Sequence, residues 1–218
     1  MSANFIRALA GTHLYPITDR RLSGLSTANQ VFLLSKAGVR LVQIREKAAA
    51  PVKFYAEAEA ALGIARELGT TVIINDRVDI ALALRADGVH LGQDDLSPEA
   101  ARRILGPTAI IGFSTHSLEQ ARLAVEMPVD YVAIGPIFAT ATKKSSNQPL
   151  GLTGLKVVCQ AAGTIPVIAI GGITVENMEL VLKTGARAVA VIRDIWTPAA
   201  EAPTKIRRLL DASELPFK

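Results

Sequence analysis

The chain has 218 residues, 50% of them hydrophobic and 20% charged, enough for one core to bury most of the unfolded surface without disulfide or metal staples. Its 16 Gly and 11 Pro are near average usage, which excludes fibrous, collagenous and disordered classes. A formal charge of +4 suits anionic ligands. The basic residues are nevertheless dispersed, with short pairs at Arg102-Arg103, Lys143-Lys144 and Arg207-Arg208, so no nucleic-acid partner is expected. No apolar run reaches the roughly 18 to 20 residues of a membrane span, and no charged and then apolar leader opens the chain. The single Cys159 has no partner for a disulfide, which fits a reducing, cytoplasmic compartment.

Short, nearly continuous apolar runs recur at residues 13–18, 39–44, 71–74, 88–91, 109–112, 131–134, 167–170 and 188–192. They are rich in β-branched residues and lack clean two-residue alternation, as strands of a parallel sheet buried on both faces do. Amphipathic segments lie between them. An alanine-rich stretch follows the second run and reads as helix rather than linker. Ser97-Pro98-Glu99 supplies an N-cap and a first-turn proline. Ser117 and Gln120 have capping-box spacing, Cys159 sits in a helical stretch, and a further helix is expected to open at Thr174. A helix joining each strand to the next forces parallel pairing. Eight such units predict an α/β fold, a single (β/α)8 TIM barrel occupying residues 1–218 as one domain. The runner-up, an open doubly wound sheet, lacks a glycine fingerprint after the first strand.

Active sites of such barrels lie at the C-terminal strand ends, so whatever follows each apolar run faces one mouth. After the second run, Gln43, Arg45 and Lys47 alternate with Ile44 and Glu46, which aims two cations and an amide together at a multiply charged anion. Asp76 follows the third run, and Asp94 and Asp95 the fourth. Paired carboxylates suit Mg2+, although Asp76 is also placed to cap the helix behind it. Gly171-Gly172 after the seventh run and Ile192-Arg193 after the eighth occupy the usual phosphate corner of these barrels. Residues 139–151 form a small, polar loop of the kind that serves as a lid. His116, beside a helix start, is left without a role. No Ser-His-Asp order, CxxC or HExxH pattern is present, so triad hydrolases and zinc enzymes lack support. Two anion sites in one mouth point to a Mg2+-dependent transferase that joins two phosphorylated small molecules.

The motifs YPITD, QIREK, INDRVDIAL, ADGVHLGQDDL, GFSTH, DYVAIGPIFATATKK, PLGLTGL, PVIAIGGI and VAVI occur in that order from residue 14 to about 196. In them the chain closely resembles the thiamine phosphate synthase family. The resemblance implies condensation of hydroxymethylpyrimidine diphosphate with a thiazole ethyl phosphate, carboxylated or not, through a pyrimidine carbocation. By motif, Gln43, Ile44, Arg45, Glu46, Lys47, Asn75, Ser114 and Lys143 would hold the pyrimidine diphosphate. Arg45, Ser114 and Lys143 would stabilise the charge that develops as the diphosphate departs, and Asp76 and Asp95 would coordinate Mg2+. Thr140, Ala141 and Thr142 would meet the thiazole, its phosphate lying against Gly172, Ile192 and Arg193. Arg193 departs from the small residue, such as Ser, that many relatives carry there. Two alternatives remain from the residues alone: a related thiazole tautomerase, which shares VDIAL, HSLE and AIGG, and a non-catalytic binding or sensor module of the thiamine pathway. The complete QIREK, NDR, GQDD and TKK set favours the synthase, since a tautomerase has no diphosphate to grip. The sequence leaves room for a homo-oligomer.

Overall fold

Strands and helices alternate along the computed structural model, which describes residues 3–9, 11–140 and 148–213. In chain order they are α1 (Ala3–Leu9), β1 (Leu14–Pro16), α2 (Arg20–Ser23), α3 (Thr27–Lys36), β2 (Leu41–Ile44), α4 (Pro51–Glu67), β3 (Thr71–Asn75), α5 (Val78–Leu84), β4 (Gly88–Leu91) and α6 (Pro98–Leu105). Then follow β5 (Ile110–Thr115), α7 (Leu118–Ala124), β6 (Tyr131–Ile134), α8 (Gly151–Ala161), β7 (Val167–Ile170), α9 (Met178–Leu182), β8 (Ala188–Val191), α10 (Arg193–Trp196), a 3-10 turn (Ala199–Glu201) and α11 (Ala202–Ser213).

Among the described residues the eight strands form one parallel sheet in the order β1-β8-β7-β6-β5-β4-β3-β2. A parallel bridge between Ile17 and Gln43 joins its two edges. The Thr18 N–H donates to the Gln43 carbonyl at 2.9 Å across that seam, and Trp196 Nε1 donates to the Ile17 carbonyl at 2.9 Å, tying α10 to it. The expected TIM-barrel architecture is therefore the one observed, and the chain from residue 14 to residue 191 is consumed in building it.

Two apolar layers follow from strand pleating, because alternate side chains point to opposite faces. Val42, Ile44, Val72, Ile74, Val89, Leu91, Val132 and Ile134 pack outward against the helices, where Ala58, Ala61 and Ala65 give α4 a close-packing face. Tyr15, Ile17, Leu41, Ile73, Tyr131, Ala133, Ile168, Ala188 and Ala190 point inward and fill the barrel. Phe5, Ala8 and Leu9 of α1 join the inward set, so this helix plugs one end of the barrel. The sequence reading had no element there.

Several local expectations hold with shifted bounds. Ser97 caps α6 by accepting from the Ala100 N–H at 3.2 Å, with Pro98 in the first turn. Ser117 caps α7, accepting from Gln120 N–H at 3.2 Å, while Gln120 Oε1 accepts from the His116 N–H at 2.7 Å, one residue earlier than a standard box. Two expectations need correction. β5 runs on to Thr115 rather than ending at 112, so Ser114 is a strand residue. α9 begins at Met178, not Thr174, because the Asn177 side chain accepts from Thr174 N–H at 2.9 Å and donates to the Gly172 carbonyl at 3.0 Å, closing a turn before the helix.

Candidate active site

At the C-terminal strand ends the barrel opens into a cavity of about 950 Å3. Its walls include the ends of all eight strands: Tyr15 and Ile17 of the first; Gln43, with Arg45 and Lys47 beyond; Asn75 and Asp76; His90, with Gly92 to Asp95; Ser114 and His116; Ala133, with Gly135 to Pro136, Ala139 and Thr140; Ile168 and Ile170, with Gly171 and Gly172; and Ala190, with Ile192 to Asp194. A second cavity, of about 660 Å3, at the opposite end is walled by exposed Arg7, Arg40 and Arg85 and by Asp87, whose carboxylate accepts from the Val72 N–H at 2.8 Å.

The QIREK alternation places Gln43, Arg45 and Lys47 on the cavity wall. Ile44 and Glu46, counted with them as ligand-binding, point the other way. Ile44 is fully buried between sheet and helices, and Glu46 folds back to accept from the Ala48 N–H at 3.4 Å. Neither side chain lines the cavity, as strand alternation requires. Arg45 is held from behind, with Nη1 3.3 Å from Asp19 Oδ2 and its backbone N–H donating to Thr18 Oγ1 at 3.1 Å. The other oxygen of Asp19 caps α2 through the N–H groups of Arg21 and Leu22. One carboxylate thus caps a helix and aims a guanidinium.

Asp76 is not a helix cap. Its φ of +63° is strained for a non-glycine residue, α5 starts two residues later with Arg77 at its N-cap position, and the Asp76 carboxylate pairs with Lys47 Nζ. Its N–H donates to the His90 carbonyl at 2.8 Å, which fixes the kink. Asp95 Oδ2 accepts from the Gly92 N–H at 2.7 Å. Burial pushes the Asp95 carboxyl above the usual range, the Gly92 N–H opposes this, and the charge and hydrogen bonding of Asp76 raise it further. Two carboxylates from neighbouring strands therefore face each other beside Lys47. That donor set, hard oxygens from two carboxylates in an open polar mouth, fits Mg2+, which commonly keeps waters and phosphate oxygens as its other ligands.

The charge count sharpens this fit. Among the described residues the cavity wall carries Arg45, Lys47 and Arg193 against Asp76, Asp94, Asp95 and Asp194. Three cations against four carboxylates do not make a basic mouth. A divalent cation held by these carboxylates would offset that excess toward a phosphorylated ligand.

Gly171 and Gly172 have φ of +104° and +65°. A Cβ on Gly172 would lie 2.7 Å from the Ala139 carbonyl oxygen and from Phe138 Cβ, so close approach of two loops requires the glycine. Gly172, Ile192 and Arg193 all line the cavity, as does Thr140. Asp194, also on the wall, accepts from the Val175 N–H at 3.3 Å, and burial pushes its carboxyl up. Ala141, Thr142 and Lys143, expected on the thiazole and diphosphate side, lie outside the described residues, as does most of the expected lid. His116 turns its ring to the cavity wall, with Nδ1 2.8 Å from the Gly135 carbonyl.

Sequence reading missed the cavity floor: Tyr15, Ile17, His90, Ala133, Ile168, Ile170 and Ala190. Small side chains at Ala133 and Ala190 leave a hollow, and Ile17, Ile168 and Ile170 give it aliphatic walls suited to a flat ring. Counting back by twos from Gln43, Asn75 and Ser114 finds such inward positions within a strand. Strand-end rules look only beyond it.

Residues 14–195 match the family model described as thiamine monophosphate synthase. The chain is 45% identical over 183 residues to the thiamine-phosphate synthase of Clostridium novyi (strain NT), covering 84% of this chain and 89% of that one. It is 42% identical over 207 residues to that of Pelotomaculum thermopropionicum, covering 93% and 94%. A solved thiamine phosphate pyrophosphorylase from Pyrococcus furiosus superposes with a TM-score of 0.84 at 36% identity, covering 94% of this chain and 96% of that one. With eight parallel strands, a polar C-terminal mouth and a family match from the first strand to just beyond the last, the chain belongs to the thiamine monophosphate synthase family of transferases.

Proposed function

We propose that this protein is a Mg2+-dependent thiamine-phosphate synthase that joins hydroxymethylpyrimidine diphosphate to a thiazole ethyl phosphate and releases pyrophosphate. The observation that carries the reading is the pair Asp76 and Asp95 beside Lys47, in the same cavity that Arg45 and an aliphatic floor also line. Asp76 and Asp95 would hold the metal, which when bound neutralises the diphosphate and makes it a better leaving group.

The pyrimidine lies in the hollow, and its diphosphate reaches Arg45 and Lys47, whose aim is set by Asp19 and Asp76. The bond between the methylene carbon and the diphosphate oxygen breaks, and the electron pair leaves with the oxygen. Cations fixed near that oxygen stabilise the developing charge. The ring thiazole nitrogen then supplies its lone pair to the methylene carbon, and the positive charge ends on the thiazolium. No proton has to move, so the reaction asks for no general base. The thiazole phosphate lies at Gly172, Ile192 and Arg193. The lone cysteine fits a cytoplasmic setting for this chemistry, and among the described residues no helix is long and apolar enough to cross a membrane.

The deciding assay measures pyrophosphate release with each substrate and with Mg2+ omitted in turn. Release that requires all three supports the synthase. Isomerisation of a thiazole without the pyrimidine identifies a tautomerase, and binding without turnover a sensor. Arg193→Ser should raise the KM for thiazole phosphate and leave that for the pyrimidine diphosphate unchanged; an unaltered thiazole KM removes Arg193 from the phosphate site.

A further inference from the structure

A chain of hydrogen bonds crosses the barrel interior beneath the cavity. Gln43 Nε2 donates to Tyr15 Oη at 3.2 Å, and Tyr15 Oη lies 2.9 Å from Tyr131 Oη. Tyr131 Oη is 2.9 Å from His90 Nδ1, and His90 Nε2 is 2.8 Å from Ser114 Oγ. The five residues come from β2, β1, β6, β4 and β5. The first four are buried, and Ser114 is half-buried at the mouth.

Packing holds the chain in place. The Tyr131 ring stacks on Phe5 with centroids 4.3 Å apart and on His90 at 5.5 Å, and Tyr15 meets it edge-on at 5.8 Å. Burial pushes both phenols well above their ordinary range, so both keep their protons. Each hydroxyl therefore has one proton to give. The Tyr15–Tyr131 contact and both imidazole contacts can each run in either direction; with the Gln43 amide donating to Tyr15, the arrangement that gives every proton an acceptor sends that of Tyr15 to Tyr131 and that of Tyr131 to His90 Nδ1. That nitrogen is then bare, and the imidazole proton sits on Nε2 and is donated to Ser114 Oγ. Having accepted one hydrogen bond, Ser114 turns its own proton toward the cavity, while Gln43 keeps its carbonyl oxygen as an acceptor. Such ordered chains strengthen each member in a low-dielectric interior. The two ends complement a ring that carries both a donor and an acceptor, as an aminopyrimidine does.

We propose that His90 is a positioning residue of the transferase: fixed as the Nε2–H tautomer by the Gln43–Tyr15–Tyr131 chain, it sets the Ser114 hydroxyl as a donor to the ring seated on the barrel floor. The kinetic consequence rests on the synthase reading; the tautomer does not.

Two measurements separate these. The protein has three histidines, His13, His90 and His116, so 15N-histidine labelling gives few signals, and His90→Gln identifies those of His90 by their loss. A protonated Nε2 with a bare Nδ1 is expected. A proton on Nδ1, or a doubly protonated ring, overturns the chain. In steady state, Tyr131→Phe and His90→Leu should each raise the KM for the pyrimidine diphosphate about tenfold, the scale of one hydrogen bond, with the KM for thiazole phosphate unchanged. His90→Gln, which keeps an amide donor near the Nε2 position, should recover most of the loss. Against a Ser114→Ala background the His90→Leu effect should vanish. Multiplying effects, or equal changes in both KM values, refute positioning through Ser114. If the parent protein does not turn over, the synthase reading fails and the nitrogen spectrum alone judges the chain.

Discussion

Gly112 sits in β5, facing into the barrel, and its missing side chain is what lets the Tyr131 ring lie across the interior. A Cβ built there falls 2.0 Å from Tyr131 Cζ, 2.3 Å from its Oη and 2.5 Å from Cε1. Ordinary carbon contacts begin near about 3.5 Å, so in Gly112→Ala the ring must move by more than about 1 Å. It has nowhere to go: Tyr131 is fully buried, stacked on Phe5 and His90 and hydrogen-bonded at Oη to Tyr15 and His90. Overpacking costs about 1–3 kcal/mol, and breaking one buried hydrogen bond of the phenol adds about 1–3 kcal/mol. The expected loss is therefore about 4 kcal/mol, or a fall in Tm of roughly 8–16 °C for a chain of this size. Urea unfolding followed by circular dichroism measures it. Because the nearest atom is a ring carbon, Tyr131→Phe should not relieve the clash, whereas in a Tyr131→Leu background the added methyl should cost little. A Gly112→Ala protein within about 1 kcal/mol of the parent, or one equally destabilised in both backgrounds, would refute the reasoning.

Asp130 is buried and accepts from both the Ile111 N–H at 2.9 Å and Arg102 Nη2 at 2.8 Å. Asp130→Ala strands the buried Ile111 N–H, while Arg102 keeps its bonds to the Gly106, Pro107, Ala109 and Pro128 carbonyls, and should cost about 2 kcal/mol by denaturant unfolding. Asp76→Asn and Asp95→Asn should each abolish pyrophosphate release at ordinary Mg2+ concentrations while leaving the unfolding midpoint near that of the parent. Burial pushes the Cys159 thiol up to about 11, so at pH 8 its alkylation by iodoacetamide should run about a hundredfold slower than that of a free thiol of ordinary acidity; a rate equal to a model peptide's would disprove the burial. Burial raises the Asp194 carboxyl in the folded protein, so its contribution to stability is present at acid pH and lost as pH rises through the folded value. Asp194→Asn should thus match the parent in acid and gain on it toward neutral pH, and it should lower the KM for thiazole phosphate by removing a like charge.

How far such features can be read from sequence depends on which link carries them. Strand count and order are legible because a strand buried on both faces must be apolar throughout, as 167–170 and 188–192 are. That same uniformity hides which residues face inward. His90 reads as one polar residue in an apolar strand, and Tyr15 and Tyr131 read as ordinary core aromatics until the barrel closes and sets their hydroxyls together. The two ends of the chain, Gln43 and Ser114, are legible because they lie at polar strand ends. Helix α1 escapes because seven residues with Phe5, Ile6 and Leu9 make too short a period to distinguish from a tail.

Charge was the least faithful guide. A net +4 with Arg45, Lys47 and Arg193 at strand ends suggests a basic mouth, yet the described wall holds four carboxylates against those three cations. Asp76 on the wall and Asp19 behind it serve a different purpose: each fixes the direction of one cation, Lys47 and Arg45 respectively. An aimed cation loses less side-chain freedom when the diphosphate arrives than a free one does. Neutralising Asp19 while keeping its helix cap, as Asp19→Asn does, should therefore leave stability nearly intact but loosen Arg45. A site relying on net positive charge would bind the diphosphate more tightly after that change. A site relying on aimed cations binds it more weakly, and the sign of the change in KM decides between them.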